Sequence, residues 1–265
     1  MFDLAALESA DGNGLWGSIF AGKLHFSAVT DSTNNDALAA ARNGAPHGSV
    51  YFADEQMAGR GRGDHAWHSA AGEGLYVSVL LRPQIPAARL ALLPLVAGLA
   101  AADAIRSTSD LTVDLRWPND LLIGPRKTGG ILVEAHTEGS AVTFAVVGIG
   151  INVHQRSFDP SLSTAATSLD TEADRRIPRQ HLLVSLLKSL ERETLALADA
   201  TAEETIPKRV EQASTWVRGR NVEVHGPQAC SGVTAGLDGH GFLLVRTDAG
   251  MVTVQTGGIR AAQTN

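Results

Sequence analysis

Two β-type runs, Gly130 to Glu138 and Ala141 to Val153, stand almost end to end with a Glu138-Gly139 turn between them, and so short a link reads as an antiparallel hairpin. Leu111 to Arg116 and Leu121 to Ile123 precede them as further strands, with turns at Pro118-Asn119-Asp120 and Gly124-Pro125. Ser49 to Ala53 and Gly74 to Leu81 carry the β-branched and aromatic residues of two more. Helical signals alternate with these runs. Thr33 and Asp36, in capping-box spacing, open a short helix that stops at Asn43-Gly44. Arg89 to Ser107 reads as a buried helix that Pro94 kinks or delays. Pro178 opens another, to about Ala198, with leucines largely on one face, and a charged helical segment follows to about Trp216. The pattern predicts an α+β fold. From Val217 onward short β-like runs alternate with Gly-containing turns at the spacing of a small all-β barrel. Two domains are therefore expected, 1–217 and 218–265.

Composition removes several function classes. Lys and Arg total 22 against 28 Asp and Glu, and the net charge of −6 gives no overall attraction to nucleic acid or to an anionic membrane. Cys230 is alone, which excludes an intrachain disulfide and a multi-cysteine metal site and fits a reducing compartment. The first basic residue is Lys23, so the N-terminus lacks the positive region of a targeting peptide, and a cytoplasmic location is expected. The longest apolar run, Leu90 to Ala102, falls short of the roughly 20 residues of a membrane span.

Most catalytic motifs fail on inspection. Gly17 to Leu24 nearly spells a phosphate loop, but Leu24 stands where the Mg²⁺-binding hydroxyl belongs. Gly148-Ile149-Gly150 begins like a dinucleotide fingerprint and then lacks a third glycine and a following helix. Neither a Gly-x-Ser-x-Gly elbow nor a His-Glu-x-x-His occurs. His65 and His68 lack the further ligands a metal needs and read as surface residues, so no metal site is expected.

Two clusters carry chemistry. The loop Gln56 to Asp64 alternates Gly59, Gly61 and Gly63 with Arg60 and Arg62, so its backbone can pass close to a ligand while two guanidinium groups clamp a carboxylate and a phosphate. With no apolar run to anchor it, the stretch from Gln56 to Trp67 is expected to be mobile until an anion orders it. The second cluster is Arg116-Trp117-Pro118-Asn119-Asp120, followed by Lys127 and the Gly129-Gly130 pair, which gives the lysine little side-chain cover and leaves its ammonium free to point at a ligand. His154 to Asp174 is a second long loop, of a length usually reserved for function or disorder.

In one order, Asp31-Ser32-Thr33-Asn34, Gln56-x-Ala58-Gly59-Arg60-Gly61-Arg62 with Trp67, Trp117-Pro118-Asn119-Asp120, Lys127-x-Gly129-Gly130-Ile131-Leu132-Val133-Glu134 and Gly148-Ile149-Gly150-Ile151-Asn152 closely resemble the motifs of biotin protein ligases. The resemblance implies a catalytic domain related to class II aminoacyl-tRNA synthetases, with a mixed sheet covered by helices on one face, plus a small C-terminal SH3-like barrel. It implies ATP and biotin as substrates, Mg²⁺ with the ATP phosphates, and a lysine of a biotin carboxyl carrier domain as acceptor. Carried over residue by residue, Ser32, Thr33, Asn34 and Gln56 would hold the ureido head. Gly59, Arg60, Gly61, Arg62 and Lys127 would complete the biotin site. Trp67, Asn119, Lys127 and Asn152 would hold the adenylate, and Lys127, Arg62 and Asp120 would be catalytic. Three positions depart from the family pattern: Gly63-Asp64-His65 replaces further Arg and Gly, Arg116 replaces the usual Lys, and Gly257-Gly258-Ile259-Arg260 matches only loosely. The stretch before Asp31 is too short for a winged-helix DNA-binding domain, so a ligase without DNA binding, monomeric or weakly dimeric, is expected. A lipoate-type ligase of the same superfamily, and a non-enzymatic biotin-binding or nucleic-acid-binding module, are the alternatives. The first lacks support from an Arg-Arg followed by a Gly-Gly-Gly loop, and simple binding needs neither Lys127 nor Asp120.

Overall fold

Gly74–Leu81 is buried at every position, a pattern that a strand shows only when both faces of its sheet are covered. The computed structural model describes residues 2–9, 14–63 and 65–262. Along the chain run α1 (Leu4–Leu7), β1 (Leu24–Thr30), α2 (Thr33–Arg42), β2 (Ser49–Gln56), β3 (Gly74–Leu81), a 3-10 turn (Ala87–Leu92), α3 (Leu93–Ser109), β4 (Asp114–Arg116), β5 (Asp120–Ile123), β6 (Arg126–Glu138) and β7 (Ala141–Asn152). Then follow α4 (Leu169–Ala173), α5 (Arg179–Ala196), α6 (Ala202–Gln212), β8 (Arg218–His225), β9 (Cys230–Leu237), β10 (Leu243–Thr247), β11 (Gly250–Val254) and β12 (Gly258–Ala261).

Among the described residues, seven strands form one mixed sheet in the order β1-β2-β3-β7-β6-β5-β4, with β1 and β2 parallel and the other neighbours antiparallel. Strand parity sorts the side chains into two layers. Leu75, Val77, Val79 and Leu81 of β3 join Val147, Ile149 and Ile151 of β7 in the main core, with α3 and α5. Leu80 and Val146 point the other way, onto Ala37 and Ala41 of α2. Helices therefore cover both faces, not one as the resemblance implied, because α2 occupies the face that the long core helices leave free. Pro94 sits at the start of α3, where the missing N–H costs nothing, and the 3-10 turn precedes it. The apolar stretch Ala87–Ser109, 23 residues long, has the length and composition to cross a membrane, yet here Leu93, Val96, Ala97, Ala100 and Ala104 are buried within the protein.

Other differences from the sequence expectation have local causes. α1 and β1 add to the elements the sequence pattern predicts; β1 is an edge strand whose half-exposed side chains give a weak apolar signal. The strand expected from Leu111 begins at Asp114, and the loop expected from His154 to Asp174 contains the single helical turn α4, capped by Ser168. Thr33 does not cap α2. Ser32 is the N-cap and makes no side-chain cap bond, while Asp36 accepts from the Thr30 hydroxyl at 2.7 Å.

The C-terminal strands form a five-stranded antiparallel sheet in the order β11-β10-β9-β8-β12. Its Val222, Val224, Leu243, Val245 and Val254 belong to the same core cluster as α3 and α6. Gly241, at φ +80°, lets the β9–β10 turn close on Leu92 and Leu95, and the Trp117 indole N–H donates to its carbonyl at 3.0 Å. Trp117→Phe should lower stability by about 1–3 kcal/mol, because it orphans a buried carbonyl. A thermal melt indistinguishable from wild type would show that this bond does not tie the two sheets.

Candidate functional site

The α2 face of the sheet opens beyond α2 into a cleft of about 1380 Å³. Its floor is bare backbone. Gly148 and Gly150 of β7 and Gly130 of β6 share this face, paired with Ser78, Tyr76 and one another. A Cβ on Gly148 would lie 2.1 Å from Asn34 Oδ1, and one on Gly150 2.6 Å from Trp67 Nε1, so glycine alone lets Asn34 and Trp67 seat on the strand.

Beside Gly148 lies a chain of neutral polar groups. The Thr33 hydroxyl is 2.8 Å from Ser78 Oγ, which donates to Asn34 Oδ1 at 2.6 Å. Thr33 N–H and hydroxyl both donate to Gln56 Oε1, and Gln56 Nε2 donates to Ser69 Oγ at 2.8 Å. Ser32, Thr33 and Asn34 are buried, and the Gln56 amide is occupied at both ends and holds Thr33 in place. Ser78 is not among the residues the sequence motifs point to; a small hydroxyl residue inside the apolar run Leu75 to Leu81 is the signal the sequence offers for it.

Arg60 and Arg62 diverge. Arg60 makes a bidentate pair with Glu134 and donates to Asn35 Oδ1, while Glu134 also accepts from Asn34 Nδ2 at 2.9 Å. Its charge is thereby matched by a carboxylate that sequence reasoning did not assign to the site. Arg62 donates to the Gly257 carbonyl at 2.6 Å and to Thr256 Oγ1 at 3.1 Å, both on the turn between β11 and β12. Burial pulls its pKa below the usual arginine value and Asp120 opposes that pull; it remains a cation. The Gln56–Trp67 segment, expected to be mobile, is folded back on itself here: Trp67 N–H donates to Gly59 O, Gly61 N–H to His65 O, and Gly59 has no room for a Cβ against Trp67 O. Gly61 lines the cleft beside it. Asp64, named above in the loop's departure, lies outside the described residues.

At the centre, Asp120 stands between two cations, Lys127 Nζ at 2.5 Å and Arg116 at 2.7 Å. The Lys127 backbone is fixed by Ala165 O and Thr167 N–H, and Arg116 also donates to Thr164 Oγ1. Lys127 Nζ lies 5.5 Å from the centre of the Trp67 ring. Asn119 lines the cleft, with its side-chain N–H₂ donating to Ile131 O. Asn152 donates through Nδ2 to Thr167 O at 3.1 Å. Among the described residues, three buried side-chain atoms have no partner: Trp67 Nε1, Gln155 Oε1 and Thr128 Oγ1. Trp67 and Gln155 both line the cleft.

Burial alone would raise the Asp120 pKa, but Lys127 and Arg116 together hold it below the usual carboxylate range. An aspartate with a depressed folded pKa stabilises the fold above its unfolded value of about 3.9, and loses that contribution as pH falls through the folded value. Asp120→Asn should therefore destabilise most at pH 5, with the gap to wild type narrowing towards pH 3. Urea titrations at the two pH values check this, and an equal gap at both would contradict it.

The Biotin/lipoate A/B protein ligase family model matches residues 26–152, which run from within β1 to the end of β7 and hold most of the cleft. The bifunctional ligase/repressor BirA of Bacillus spizizenii is 39% identical over 181 residues, covering 66% of this chain and 56% of that protein, so the match spans little more than half of its length. The biotin–[acetyl-CoA-carboxylase] ligase of Mycobacterium tuberculosis is 33% identical over 239 residues, covering 88% of this chain and 86% of that protein. The biotin protein ligase from Aquifex aeolicus, solved in complex with biotin and ATP, superposes with a TM-score of 0.75 at 28% identity, over 90% of this chain and 98% of that one. With the matched motifs lining one cleft, the chain belongs to the biotin protein ligase family.

Proposed function

We propose that the protein activates biotin with ATP as biotinoyl-5′-AMP and transfers the biotinoyl group to a lysine of a biotin carboxyl carrier domain. The observation that carries this reading is the order of groups along β7. From Gly148 to Asn152 the strand advances about 13 Å at roughly 3.3 Å per residue. Neutral donors and acceptors stand at Gly148, Trp67 and Lys127 at Gly150 and Gly130, and the amide of Asn152 at the far end. An extended ligand with a ureido head, an anionic centre and a base fits that series. The dithiolane ring of lipoate would leave Thr33, Asn34 and Ser78 facing an apolar group, which disfavours the lipoate-type alternative.

In the first step a biotin carboxylate oxygen attacks the α-phosphorus, the bond to the β-phosphate oxygen breaks, and pyrophosphate leaves with the electron pair. Two anions converge, so cations count most at the transition state. Lys127 and Arg62 supply them. Mg²⁺ would enter on the triphosphate and neutralise part of its charge, since among the described residues no three His, Cys, Asp or Glu side chains converge and Asp120 is already held by Lys127 and Arg116. In the second step the carrier amine attacks the acyl carbon, the bond to AMP breaks, and the amine loses a proton. Asp120 is ionised and can take that proton only as its pair with Lys127 opens, so its first task is to position Lys127.

The reading is tested by incubating the protein with ATP, Mg²⁺, biotin and a candidate carrier domain and following the carrier by mass spectrometry. Addition of one biotinoyl group, dependent on ATP, is expected; an unmodified carrier across candidate domains would sink the proposal. Lys127→Ala should leave biotin affinity within about tenfold and slow adenylate formation at least 100-fold, as for an interaction realised in the transition state. Pyrophosphate exchange at the wild-type rate would remove Lys127 from that role. Arg62→Ala cuts both a cation and the tie to Thr256 and Gly257, so free adenylate should escape and label bystander lysines; the ratio of bystander to carrier labelling reads this, and an unchanged ratio would contradict it.

A further inference from the structure

Gln155 is 3% exposed, lines the cleft beside Asn152, and has no role in the steps above. Its backbone carbonyl is pinned by the Ser168 hydroxyl at 2.7 Å. The orientation of its amide follows from its neighbour. Tyr76 Oη donates its hydrogen to Ala70 O at 3.1 Å, so it offers Gln155 only lone pairs, and the amide N–H₂, at 3.5 Å, is the end that faces it. Burial pushes the Tyr76 pKa up, with Glu73 adding to the effect, so the phenol keeps that hydrogen. Gln155 Oε1 is left as a buried acceptor without a partner, a costly state that a ligand donor would relieve.

Asn152, three residues earlier, spends its N–H₂ on Thr167 O, so its oxygen is the end available to a ligand. This end of the cleft thus presents two carboxamide oxygens, and Glu73, Phe158 and Asp159 also line the cleft. Two amide acceptors suit a heterocycle bearing an exocyclic amino group. They repel one that bears a carbonyl there.

We infer that Gln155 is a specificity-determining residue that reads the 6-amino group of the purine through Oε1, selecting ATP over GTP. The inference rests on the ligase reading above and adds a residue to it. Loss of a buried hydrogen bond to a substrate amino group leaves the protein acceptor unpaired, a penalty of at least about tenfold in kcat/KM.

The test compares ATP, GTP and purine riboside 5′-triphosphate, which lacks the amino group, in carrier biotinylation by wild type and by Gln155→Met, which keeps side-chain length without the acceptor. Wild type should prefer ATP to purine riboside triphosphate at least tenfold. Gln155→Met should shrink that preference at least fivefold and relax the exclusion of GTP, while biotin affinity stays within about threefold because the ureido pocket lies at the other end of β7. A residue that only supports the fold would slow all three nucleotides alike. Equal use of ATP and purine riboside triphosphate by wild type overturns the inference whether or not the variant folds, as does an unchanged preference in a folded variant. Absence of transfer with every triphosphate overturns the ligase reading, and this inference with it.

Discussion

The missing Cβ atoms of Gly130, Gly148 and Gly150 set the geometry on which the rest of the cleft depends. Each glycine faces α2's side of the sheet, and at Gly148 and Gly150 a methyl group would displace Asn34 or Trp67 outright. Glycine weakens a strand by roughly 0.5–1 kcal/mol relative to alanine. The strands that carry that cost are the ones best able to bear it: β7 is paired along its length with β3 on one side and β6 on the other, and its opposite face is sealed by Val147, Ile149 and Ile151 in the core. A smooth floor is therefore held rigid by the same strand whose other face anchors the fold.

That division by parity explains what could be read from the sequence. The apolar runs of β3 and β7, the leucines of α5 and the turns flanking β5 were visible because local pattern specified them. Even Trp67, Lys127 and Asn152 were legible, since resemblance placed them in ordered motifs and the sheet register brings those motifs to one face. Pairings across distance were not. Arg60 reads as a free cation until Glu134, 74 residues away, is found beside it. Thr33 reads as a helix cap until Gln56 and Ser78 are seen to take its hydroxyl. Gln155 lies in the irregular segment after β7 with no period to mark it, and only the hydrogen-bond logic of Tyr76 gives its oxygen a meaning.

Charge is arranged by the same economy. Arg60, Arg62, Arg116 and Lys127 all line one cleft, and left unpaired they would repel one another at low dielectric. Glu134 neutralises Arg60 at the end lined by neutral polar groups, and Asp120 bridges Arg116 and Lys127 in the middle of the cleft. The two carboxylates act differently. Glu134 also accepts from Asn34, which ties the Arg60 pair to the chain of polar groups beside Gly148. Asp120 holds two cations at once, so an incoming anion can compete for Lys127 while Arg116 keeps the aspartate paired.

Among the described residues Arg62 has no such carboxylate contact, and its partners are a carbonyl and a hydroxyl on the C-terminal sheet. Neutral acceptors hold a guanidinium more weakly than a carboxylate or phosphate does, so this arginine is the cation most easily drawn to a ligand. The turn that holds it is itself seated on glycine: Gly257, at φ +118°, leaves no space for a Cβ against the His225 carbonyl. Because β8 and β10 share the core of α3 and α6, that turn is fixed relative to the large sheet. The C-terminal strands thereby give the ligand loop a defined position from which Arg62 reaches the cleft, and this supplies a physical reason for two sheets to share one hydrophobic core.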